Sequence, residues 1–367
     1  MKPTFPGRLA VQQRVLPAYR VPFFDLLAGS CENGMSLLAG LPRPDEGVTS
    51  GELKIASYRA AQNIHMFGGA LYLCYQRGLT EWLGDWNPDA LIVEANPRYL
   101  ATSSAVRWMK PRGRPVIGWG LGVPSSLRPS PLGRGVGVRV WSKFLSQFDA
   151  LIAYSRRGAD EYAALGFPRE KIFIATNSVS PRPLSPIPSR PSTFDIKPVI
   201  LFVGRLQSRK RVDFLLRACA EIESRPRLVI VGDGPERAGL EALAKRVYPP
   251  AEFVGTKHGA EAKPYFAEAD LFVLPGTGGL AVQEAMSYGL PVIVAQGDGT
   301  QDDLVREGNG WQIPPDDYGA LVSVMHEALS DAARLQRMGV ESYRIVSEEI
   351  NIEKMVETFV NALNALR

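Results

Sequence analysis

Two basic residues follow an apolar strand in the second half of the chain. The run VILFV over 199–203 predicts that strand, which ends at Gly204; Arg205 comes next, and Lys210 lies five residues further on. Strand ends of a parallel sheet share one edge, where such sheets bind ligands. Two cations at that edge can neutralise a diphosphate without a metal ion. The alternative is a pair of surface cations ahead of a helix.

A glycine-rich turn later in the chain offers a second set of phosphate ligands. The stretch 270–293 predicts a strand, a turn, a helix from Leu280 and a second strand. The turn consists of Gly276, Thr277, Gly278 and Gly279. Such turns leave backbone N–H groups that favour an anion, and Glu284, one helical turn on, is within reach of ribose hydroxyls. The stretch indicates a nucleotide or phosphate pocket, or else an ordinary strand-to-helix turn whose glycines serve the bend.

Other ligand chemistries find little support in the sequence. Gly232 and Gly234 follow another strand, but the third glycine of a dinucleotide fingerprint falls at Arg237, so we expect no NAD site. The cysteines and histidines have no metal-ligand spacing, and Asp302 and Asp303 are adjacent. We therefore expect no metal ion and no cofactor.

These groups need a sheet to position them, and strands and helices alternate through both halves of the chain. The alternation predicts an α/β fold with parallel sheets wound by helices on both faces. We expect domains over 1–180 and 198–350, a proline-rich linker over 181–197 and a final helical segment over 351–367. The expected strands are 8–15, 52–61, 90–94, 115–119, 150–154 and 171–175, then 199–203, 228–231, 252–254, 271–274, 291–295 and 310–313.

Two further segments of the first half are predicted to be a helix and a loop. Apolar residues at helical spacing predict a helix over 69–86. Glycine and proline dominate 120–137, which predicts a mobile loop at the exit of a strand.

Composition suggests a two-domain protein of the cytoplasm. The chain has 367 residues and 45% hydrophobic content, enough for two cores. Its three cysteines, Cys31, Cys74 and Cys219, form no disulfide framework, so a reducing compartment is expected. The first residues lack the apolar run of a signal peptide, and no apolar stretch is long enough to span a membrane.

Charge is distributed unevenly along the chain. Residues 1–196 hold 23 Lys and Arg against 14 Asp and Glu, whereas the rest has a net charge of −5. Residues 95–148 carry no acidic residue. They contain Arg98, Arg107, Lys110, Arg112, Arg114, Arg128, Arg134, Arg139 and Lys143. We expect this basic block to attract an anionic partner, the alternative being a solvated basic face.

Five segments of the second half carry a family resemblance. In order they read VILFVGRLQSRKRVDFLLRA, LVIVGDGPER, FVGTKHG, ADLFVLPGTGGLAVQEAMSYGLPVIVA and GNGWQIPPDD, over residues 198–330. They resemble the donor domain of family-4 glycosyltransferases. The resemblance implies the GT-B fold, with two Rossmann-like domains around a cleft and a last helix that crosses back to the first domain. The first half is similar to bacterial exopolysaccharide members through QRVLPAYRVPFF, VEANPRYL and RPVIGWGLG.

The resemblance also assigns roles to residues. Arg205 and Lys210 bind the diphosphate of a GDP- or UDP-sugar, and Glu284 binds the ribose. Thr256, Lys257 and His258 are candidates for contact with the base, although the pattern does not choose a base. The implied donor-binding set is Gly204, Arg205, Lys210, Gly234, Thr256, Thr277, Gly278, Gly279, Leu280 and Glu284. The implied reaction is retaining transfer, in which Arg205 and Lys210 stabilise the leaving diphosphate.

One position departs from the family pattern. The family commonly has a first glutamate eight residues before the second, and here that position is Gly276. Donor hydroxyls then depend on Thr277 and on the amides of Gly278 and Gly279. The departure also leaves open a catalytically weak or inactive partner subunit that only binds the nucleotide-sugar.

The first domain is expected to bind the sugar acceptor. Glu94 ends a strand and is the candidate catalytic helper there, while His65, Trp119 and Gly120 are candidates for the acceptor side. Trp119 could stack on a sugar, although tryptophans at strand ends are often core residues.

The basic first half favours a glycan acceptor linked to a membrane lipid. We expect peripheral association with the inner membrane leaflet through residues 98–143 and through Phe23 and Phe24. No stacking platform accompanies the basic residues, so no nucleic acid is expected. An epimerase of GT-B fold is a further alternative, but it needs paired acids and only Glu284 is well placed. The sequence leaves the donor base, the acceptor and the oligomeric state open.

Overall fold

Strands and helices alternate along the chain and build two parallel sheets, each in its own unit. The computed structural model describes residues 3–46, 48–124, 136–184, 186–187, 197–297 and 299–367. Unit 1 comprises Met1–Val179 and Ile352–Arg367, and unit 2 comprises Ser180–Asn351. The predicted α/β class is confirmed. Most of the expected linker and of the loop over 120–137 lies outside the described residues.

Unit 1 is built on a seven-stranded parallel sheet, as far as the described residues show, with strand order β3-β2-β1-β6-β7-β8-β9. Numbered in chain order, its strands are β1 Leu9–Val15, β2 Met35–Gly40, β3 Ser57–Ala60, β4 Gln62–Met66, β5 Leu73–Arg77, β6 Ala90–Glu94, β7 Val116–Gly120, β8 Ala150–Ala153 and β9 Ile172–Ile174. Strands β4 and β5 form a separate antiparallel hairpin. The helices are α1 Val21–Ala28, α2 Leu79–Trp86, α3 Thr102–Met109, α4 Val136–Leu145, α5 Arg156–Ala164 and α13 Ile352–Asn364.

Both faces of the unit 1 sheet are covered, as the sequence of β1 requires. Leu9 and Val11 lie in the cluster that contains α1 and α13, whereas Ala10 lies in the cluster that contains α2 to α5. A parallel strand buried on both faces reads as an uninterrupted apolar run, because successive side chains point to opposite sides.

Aromatic rings fill the space between α1, α13 and the sheet. Phe23 lies 5.2 Å from Phe24, 5.5 Å from Trp119 and 5.0 Å from Phe359 between ring centroids. Phe23 and Phe24 are fully buried. The expectation that they are exposed membrane contacts is therefore wrong: α1 presents its apolar side to α13 and to the sheet.

Three other predictions for unit 1 need correction. Residues 69–86 are not one helix, because Gly78, at φ +85°, separates β5 from α2. In β5 the buried residues are Cys74 and Gln76, so the burial period is two. The strand expected over 52–61 covers only Ser57–Ala60, and β2 was not predicted.

Unit 2 contains a six-stranded parallel sheet in the described residues, with order β12-β11-β10-β13-β14-β15. Its strands are β10 Val199–Val203, β11 Arg227–Val231, β12 Glu252–Gly255, β13 Leu271–Leu274, β14 Val292–Ala295 and β15 Gly310–Ile313. Its helices are α6 Val212–Glu221, α7 Arg237–Val247, α8 Lys263–Glu268, α9 Ala281–Ser287, α10 Thr300–Leu304, α11 Tyr318–Leu329 and α12 Ala332–Arg344. The short helix α10 was not predicted.

The strand order of unit 2 creates a switch point. The chain moves outward from β10 to β12 and then returns to the other side of β10 to form β13. The loops after β10 and β13 therefore leave the sheet in opposite directions, and the crevice between them is where such sheets bind ligands. Within the described ranges, none of the helices combines the length and apolarity needed to cross a bilayer.

Candidate functional site

Four loops meet at the carboxyl edge of the unit 2 sheet. They follow the neighbouring strands β12, β11, β10 and β13, which run parallel. The loops contain residues 256–258, 232–236, 204–211 and 275–280, respectively. All ten donor-binding residues predicted from the sequence lie in these loops or, for Glu284, in α9 directly after one of them.

The loops after β10 and β11 are joined backbone to backbone. The Leu206 amide donates to the Asp233 carbonyl at 2.8 Å, and the Glu236 amide donates to the Leu206 carbonyl at 3.1 Å. A Cβ built on Gly234 lies 2.3 Å from the Leu206 carbonyl oxygen, and one on Gly232 lies 2.0 Å from that of Gly204. These glycines are required by close backbone packing, which holds Arg205 at the crevice.

Lys210 ties the loop after β10 to the glycine turn after β13. Its side chain is buried, and Nζ donates to the Thr277 carbonyl oxygen at 2.9 Å and to that of Gly278. Burial, with a smaller contribution from the charge of Arg209, lowers the pKa of Lys210 to about 8. The Lys210 side chain is therefore satisfied by carbonyl groups, and it fixes the shape of the turn.

Gly276 has no space for a side chain. A Cβ built there lies 2.1 Å from the Arg209 carbonyl oxygen and 2.5 Å from the Lys210 carbonyl carbon. The next amide, of Thr277, donates to that same Arg209 carbonyl at 3.1 Å. The glutamate that the family pattern places at this position is excluded here by backbone contact between the two loops.

The glycine turn presents a short row of backbone amides. Those of Gly278, Gly279 and Leu280 donate to no other described residue, whereas the Thr277 amide is used. Gly278 has φ +66°, a left-handed conformation that glycine adopts readily. Leu280 is exposed and the two glycines are partly exposed. The amides of Gly278, Gly279 and Leu280 can therefore receive an anion, whereas that of Thr277 supports the turn.

The loop after β10 also carries arginines, of which Arg209 contacts this turn. Arg205 is exposed and makes no hydrogen bond or ion pair with any described residue. Arg209, which the sequence analysis did not select, donates from Nη1 to the Thr277 carbonyl at 3.4 Å and from Nε to Gln207 at 3.0 Å. The run of basic residues over 205–211 is the sequence feature that could have identified Arg209. Arg211 is occupied by ion pairs with Asp213 and Asp316.

Glu284 lies half-buried in the first turn of α9. Burial raises the pKa of its carboxyl group, and the nearby His258 opposes that shift. His258 belongs to the loop after β12, as does the exposed Thr256. The carboxylate and the β12 loop are therefore neighbours at one side of the crevice, an arrangement suited to a polar ligand with hydroxyl groups.

The described residues hold no group of three or more His, Cys, Asp or Glu that could bind a metal ion. Besides Glu284, the crevice offers cationic side chains and amide donors. Such a set suits a diphosphate.

Glu94 ends β6 at the carboxyl edge of the unit 1 sheet. It accepts a hydrogen bond from the Arg14 amide, and its own amide donates to Gln12 at 3.3 Å. Burial raises the pKa of this carboxyl group to about 7, against the opposing effect of Arg14. A carboxyl group with such a pKa can exchange a proton near neutrality.

Trp119 is opposite Glu94 in the β6–β7 ladder, but its side chain lies in the core. Its ring contacts Phe23, Phe24, Tyr154 and Phe359 at centroid distances of 4.9 to 6.2 Å. The expectation that Trp119 stacks on a sugar is therefore wrong, because this ring has no free face.

Gly120 and His65 have structural partners of their own. A Cβ on Gly120 would lie 2.5 Å from the Tyr162 hydroxyl. His65 lies on β4, with Nδ1 2.8 Å from the Tyr72 hydroxyl and its ring stacked on that of Tyr72. Gly120 ends β7 at the carboxyl edge of the unit 1 sheet, whereas His65 lies on the separate hairpin of β4 and β5.

The basic block of unit 1 is partly engaged in internal contacts. Lys110 pairs with Asp149. Arg112 and Arg114 lie 4.0 and 5.7 Å from the ring centroid of Trp108. Residues 125–135, with two of the nine basic residues, lie outside the described ranges. The block is therefore less free to meet a partner than its composition suggests.

The part of the chain that contains this site matches a known family model. The family model "Glycosyl transferases group 1" matches residues 197–331. A GDP-mannose-dependent alpha-mannosyltransferase of Mycobacterium tuberculosis is 31% identical over 224 residues, which are 57% of this chain and 57% of that protein. The amylovoran biosynthesis glycosyltransferase AmsK of Erwinia amylovora is 28% identical over 200 residues, 50% of this chain and 48% of AmsK. The chain thus spans about half the length of these relatives.

The fold is shared over nearly the whole chain. The crystal structure of Anabaena HepE in complex with UDP superimposes with a TM-score of 0.72 at 18% identity, covering 98% of this chain and 99% of HepE. The resemblance found in the sequence is thereby confirmed: residues 197–331 form a glycosyl transferases group 1 domain, and the chain has the two-domain GT-B fold.

Proposed function

We propose that this protein is a retaining, metal-independent hexosyltransferase that moves a sugar from a GDP- or UDP-sugar to a lipid-linked glycan in cell-surface polysaccharide synthesis. The observation that carries the proposal is the crevice of unit 2. There the buried Lys210 bonds to the glycine turn, which presents three unpaired amides; Arg205 lies in the same loop as Lys210, and Glu284 lies in the helix that follows the turn. Cations and amides suit a diphosphate, and a carboxylate suits the ribose.

Lys210 and the amides serve the leaving group in this proposal. Negative charge grows on the nucleoside diphosphate as the sugar departs, and donors already in place stabilise it without reorganisation. Removing one such donor costs on the order of 3 kcal/mol of transition-state stabilisation. An approaching diphosphate also raises the pKa of Lys210, which keeps the ammonium charged near neutral pH.

Glu94 is the proposed helper on the acceptor side. Its pKa of about 7 lies near the pH of a cytoplasm, where a group exchanges protons most effectively. We assign it to the acceptor because it lies at the carboxyl edge of its own sheet, the edge where α/β units bind ligands. The leaving phosphate can itself take the acceptor proton, so Glu94 assists the reaction and is not obligatory.

The relatives support the substrate class but leave the base open. The mycobacterial relative is named for GDP-mannose, and HepE was crystallised with UDP. AmsK is named for amylovoran synthesis, which supports a polysaccharide product for this chain. We therefore propose a hexose donor with either base, and an acceptor carried by a lipid at the cytoplasmic face of the membrane.

Thermal-shift measurements with GDP, UDP and other nucleoside diphosphates test the donor site. We expect one nucleotide to raise the melting temperature, and Arg205→Ala and Glu284→Ala to abolish that rise. Arg217→Ala is the matched control, because Arg217 is an exposed arginine on α6, outside the four loops. An unchanged shift in both site variants would refute the assignment.

A catalytically inactive partner subunit remains the second candidate, favoured by Gly276. Because there is no space for a side chain at this position, the site lacks a carboxylate that the family pattern supplies. Incubation with GDP- and UDP-hexoses, followed by detection of released nucleotide, separates the two. Nucleotide binding with no donor hydrolysis and no transfer to lipid-linked glycans would favour the subunit.

A further inference from the structure

The hairpin of β4 and β5 turns an apolar face toward solvent. The two strands pair with Ile64 opposite Tyr75 and Met66 opposite Leu73, and residues paired in this way point to the same side of the hairpin. Tyr75 is 41% exposed and the other three side chains are partly exposed. The opposite face, made of Asn63, His65, Cys74 and Gln76, packs on unit 1. Its two β5 members, Cys74 and Gln76, are buried.

The tip of the hairpin is apolar as well. Phe67 is 72% exposed and Leu71 is 74% exposed, on either side of a glycine pair. Phe67 has φ +59°, a left-handed conformation that costs energy for a residue with a side chain. Two large apolar side chains on one tip, continuous with an apolar face, are unusual on a surface that meets only water.

Polar bonds fix this hairpin to the end of β1. Gln76 donates to the Gln13 carbonyl at 2.9 Å and accepts from Gln12, and Asn63 donates to the Arg14 carbonyl at 2.8 Å. The exposed apolar face is therefore held in place by a buried polar network. Binding through it requires little ordering of the protein.

Two further exposed leucines lie beside the hairpin. The carbonyl of Leu41 accepts from Asn63 at 3.0 Å, and the amide of Leu100 donates to Cys74 at 2.9 Å. Leu41 and Leu100 are exposed, as are Phe67, Leu71 and Tyr75. The apolar surface thus extends over both sides of the hairpin.

Most of the charges around the hairpin are positive, although Arg43 is paired with Glu46 at 3.2 Å. Residues 53–80 contain no acidic residue. Arg77 at the end of β5 is exposed, the guanidinium of Arg43 lies 5.1 Å from the Tyr72 ring centroid, and the exposed Arg98 joins the hairpin through its carbonyl, which accepts from Cys74 at 2.9 Å. Apolar groups rimmed by arginine match a bilayer with anionic headgroups, which offers hydrocarbon and negative charge together.

We propose that this hairpin docks the protein on an anionic bilayer, with Phe67 and Leu71 in the interface and the neighbouring arginines on the headgroups. The membrane contact expected of Phe23 and Phe24 is thus assigned to Phe67 and Leu71, which are exposed. Gln12 bonds both the hairpin and Glu94, so docking also brings the carboxyl edge of the unit 1 sheet close to the membrane. That last step, delivery of a lipid-linked acceptor, rests on the proposed function.

Co-sedimentation with lipid vesicles tests the docking. Phosphatidylcholine vesicles containing phosphatidylglycerol should retain the protein at low salt, and phosphatidylcholine alone should retain less. Phe67→Ser with Leu71→Ser should lower the partition coefficient about tenfold or more, because both apolar side chains leave the interface. Leu184→Ser with Val340→Ser is the matched control, since it removes two exposed apolar side chains from unit 2.

Several results would overturn the proposal. These are no retention of the wild type, equal retention of the hairpin variant, or a loss as large in the control. Sedimentation velocity tests whether a second copy of the chain binds this face instead. A wild-type dimer that becomes monomeric in the hairpin variant would assign the face to that contact. Leu71→Ser alone replaces the double variant if the latter unfolds. The GDP and UDP thermal shifts are measured without lipid, so a failed nucleotide site is distinguished from a failed membrane site.

Discussion

Substitution of Gly276 is the sharpest test of how the two loops of the crevice fit together. In Gly276→Ala the new methyl carbon would start 2.1 Å from the Arg209 carbonyl oxygen, well inside van der Waals contact. The clash involves backbone on both sides, so no side-chain rotation can relieve it. The loop after β10 and the glycine turn must move apart.

The cost can be worked out from the contacts that the movement breaks. Overpacking of a closely packed site costs about 1–3 kcal/mol. The hydrogen bond from the Thr277 amide to the Arg209 carbonyl adds about 1 kcal/mol if it is lost. We therefore expect Gly276→Ala to lower the free energy of unfolding by about 2–4 kcal/mol. Nucleotide affinity should fall too, because Lys210 belongs to one of the separating loops and bonds to the other.

Urea unfolding and nucleotide thermal shifts measure both effects. Gly239→Ala in α7 is the control: its Cβ would meet nothing within 4 Å, and alanine in a helix should stabilise by about 0.5–1 kcal/mol. Gly276→Glu restores the residue of the family pattern and separates the two explanations of the departure. We expect it to be at least as damaging as alanine. Wild-type stability with faster sugar transfer in Gly276→Glu would refute the steric argument.

Three further predictions concern single side chains. Lys210→Met should weaken the binding of the preferred nucleoside diphosphate about 10–100-fold by calorimetry. Because burial lowers the pKa of Lys210 from 10.5 to about 8, the free energy of unfolding of the wild type should increase as the pH rises from about 8 to 10.5, and the variant should lack that increase. Glu94→Gln should lower kcat about 100-fold. The raised pKa of Glu94 means that the folded wild type binds this proton more tightly than the unfolded chain does. The wild type should therefore lose stability as the pH rises from 4.5 to about 7, and the variant should not. Trp119→Ala should cost about 3–5 kcal/mol in urea unfolding and leave the nucleotide thermal shift present.

The strands of unit 2 could be read from the sequence almost residue by residue. Strands β10 and β15 match the predicted ranges, and β13 does too, because short apolar runs are bounded there by glycine or proline. Unit 1 was harder. Strand β2, Met35–Gly40, has no β-branched residue and no aromatic one, so it carries little strand signal although all six residues are buried.

The hairpin was missed for a different reason. The apolar residues of 69–86 recur at helical spacing, but Leu73 and Tyr75 of β5 lie on the outward face of a strand pair, whereas Cys74 and most of the apolar residues of α2 are buried in the core. A sequence pattern shows which residues are apolar and not which of them face water. The same limit explains Phe23 and Phe24, which looked exposed, and Trp119, which looked available to a ligand.

In the candidate site, the sequence could identify the groups but not what they do before a ligand arrives. Lys210 was selected as a phosphate ligand from its charge and position. Only the structure shows its ammonium bonded to the carbonyls of Thr277 and Gly278. Likewise, Gly276 could be recognised as a departure from a pattern, but its cause lies in the backbone of residue 209, which is distant in sequence.

The two cations of the crevice should therefore contribute to binding in different ways. Lys210 is buried and already solvated by two carbonyl groups, so a diphosphate must replace or share bonds that exist, and the net gain is modest while the geometry is fixed in advance. Arg205 is exposed and has no partner among the described residues, so its bonds to an anion are all new, although its side chain must be ordered to make them. A buried, preorganised lysine suits the charge that develops late in the reaction, whereas an exposed arginine suits capture of the charged donor. In the proposed sugar transfer, the loop after β10 would thus supply one cation for each of these two tasks.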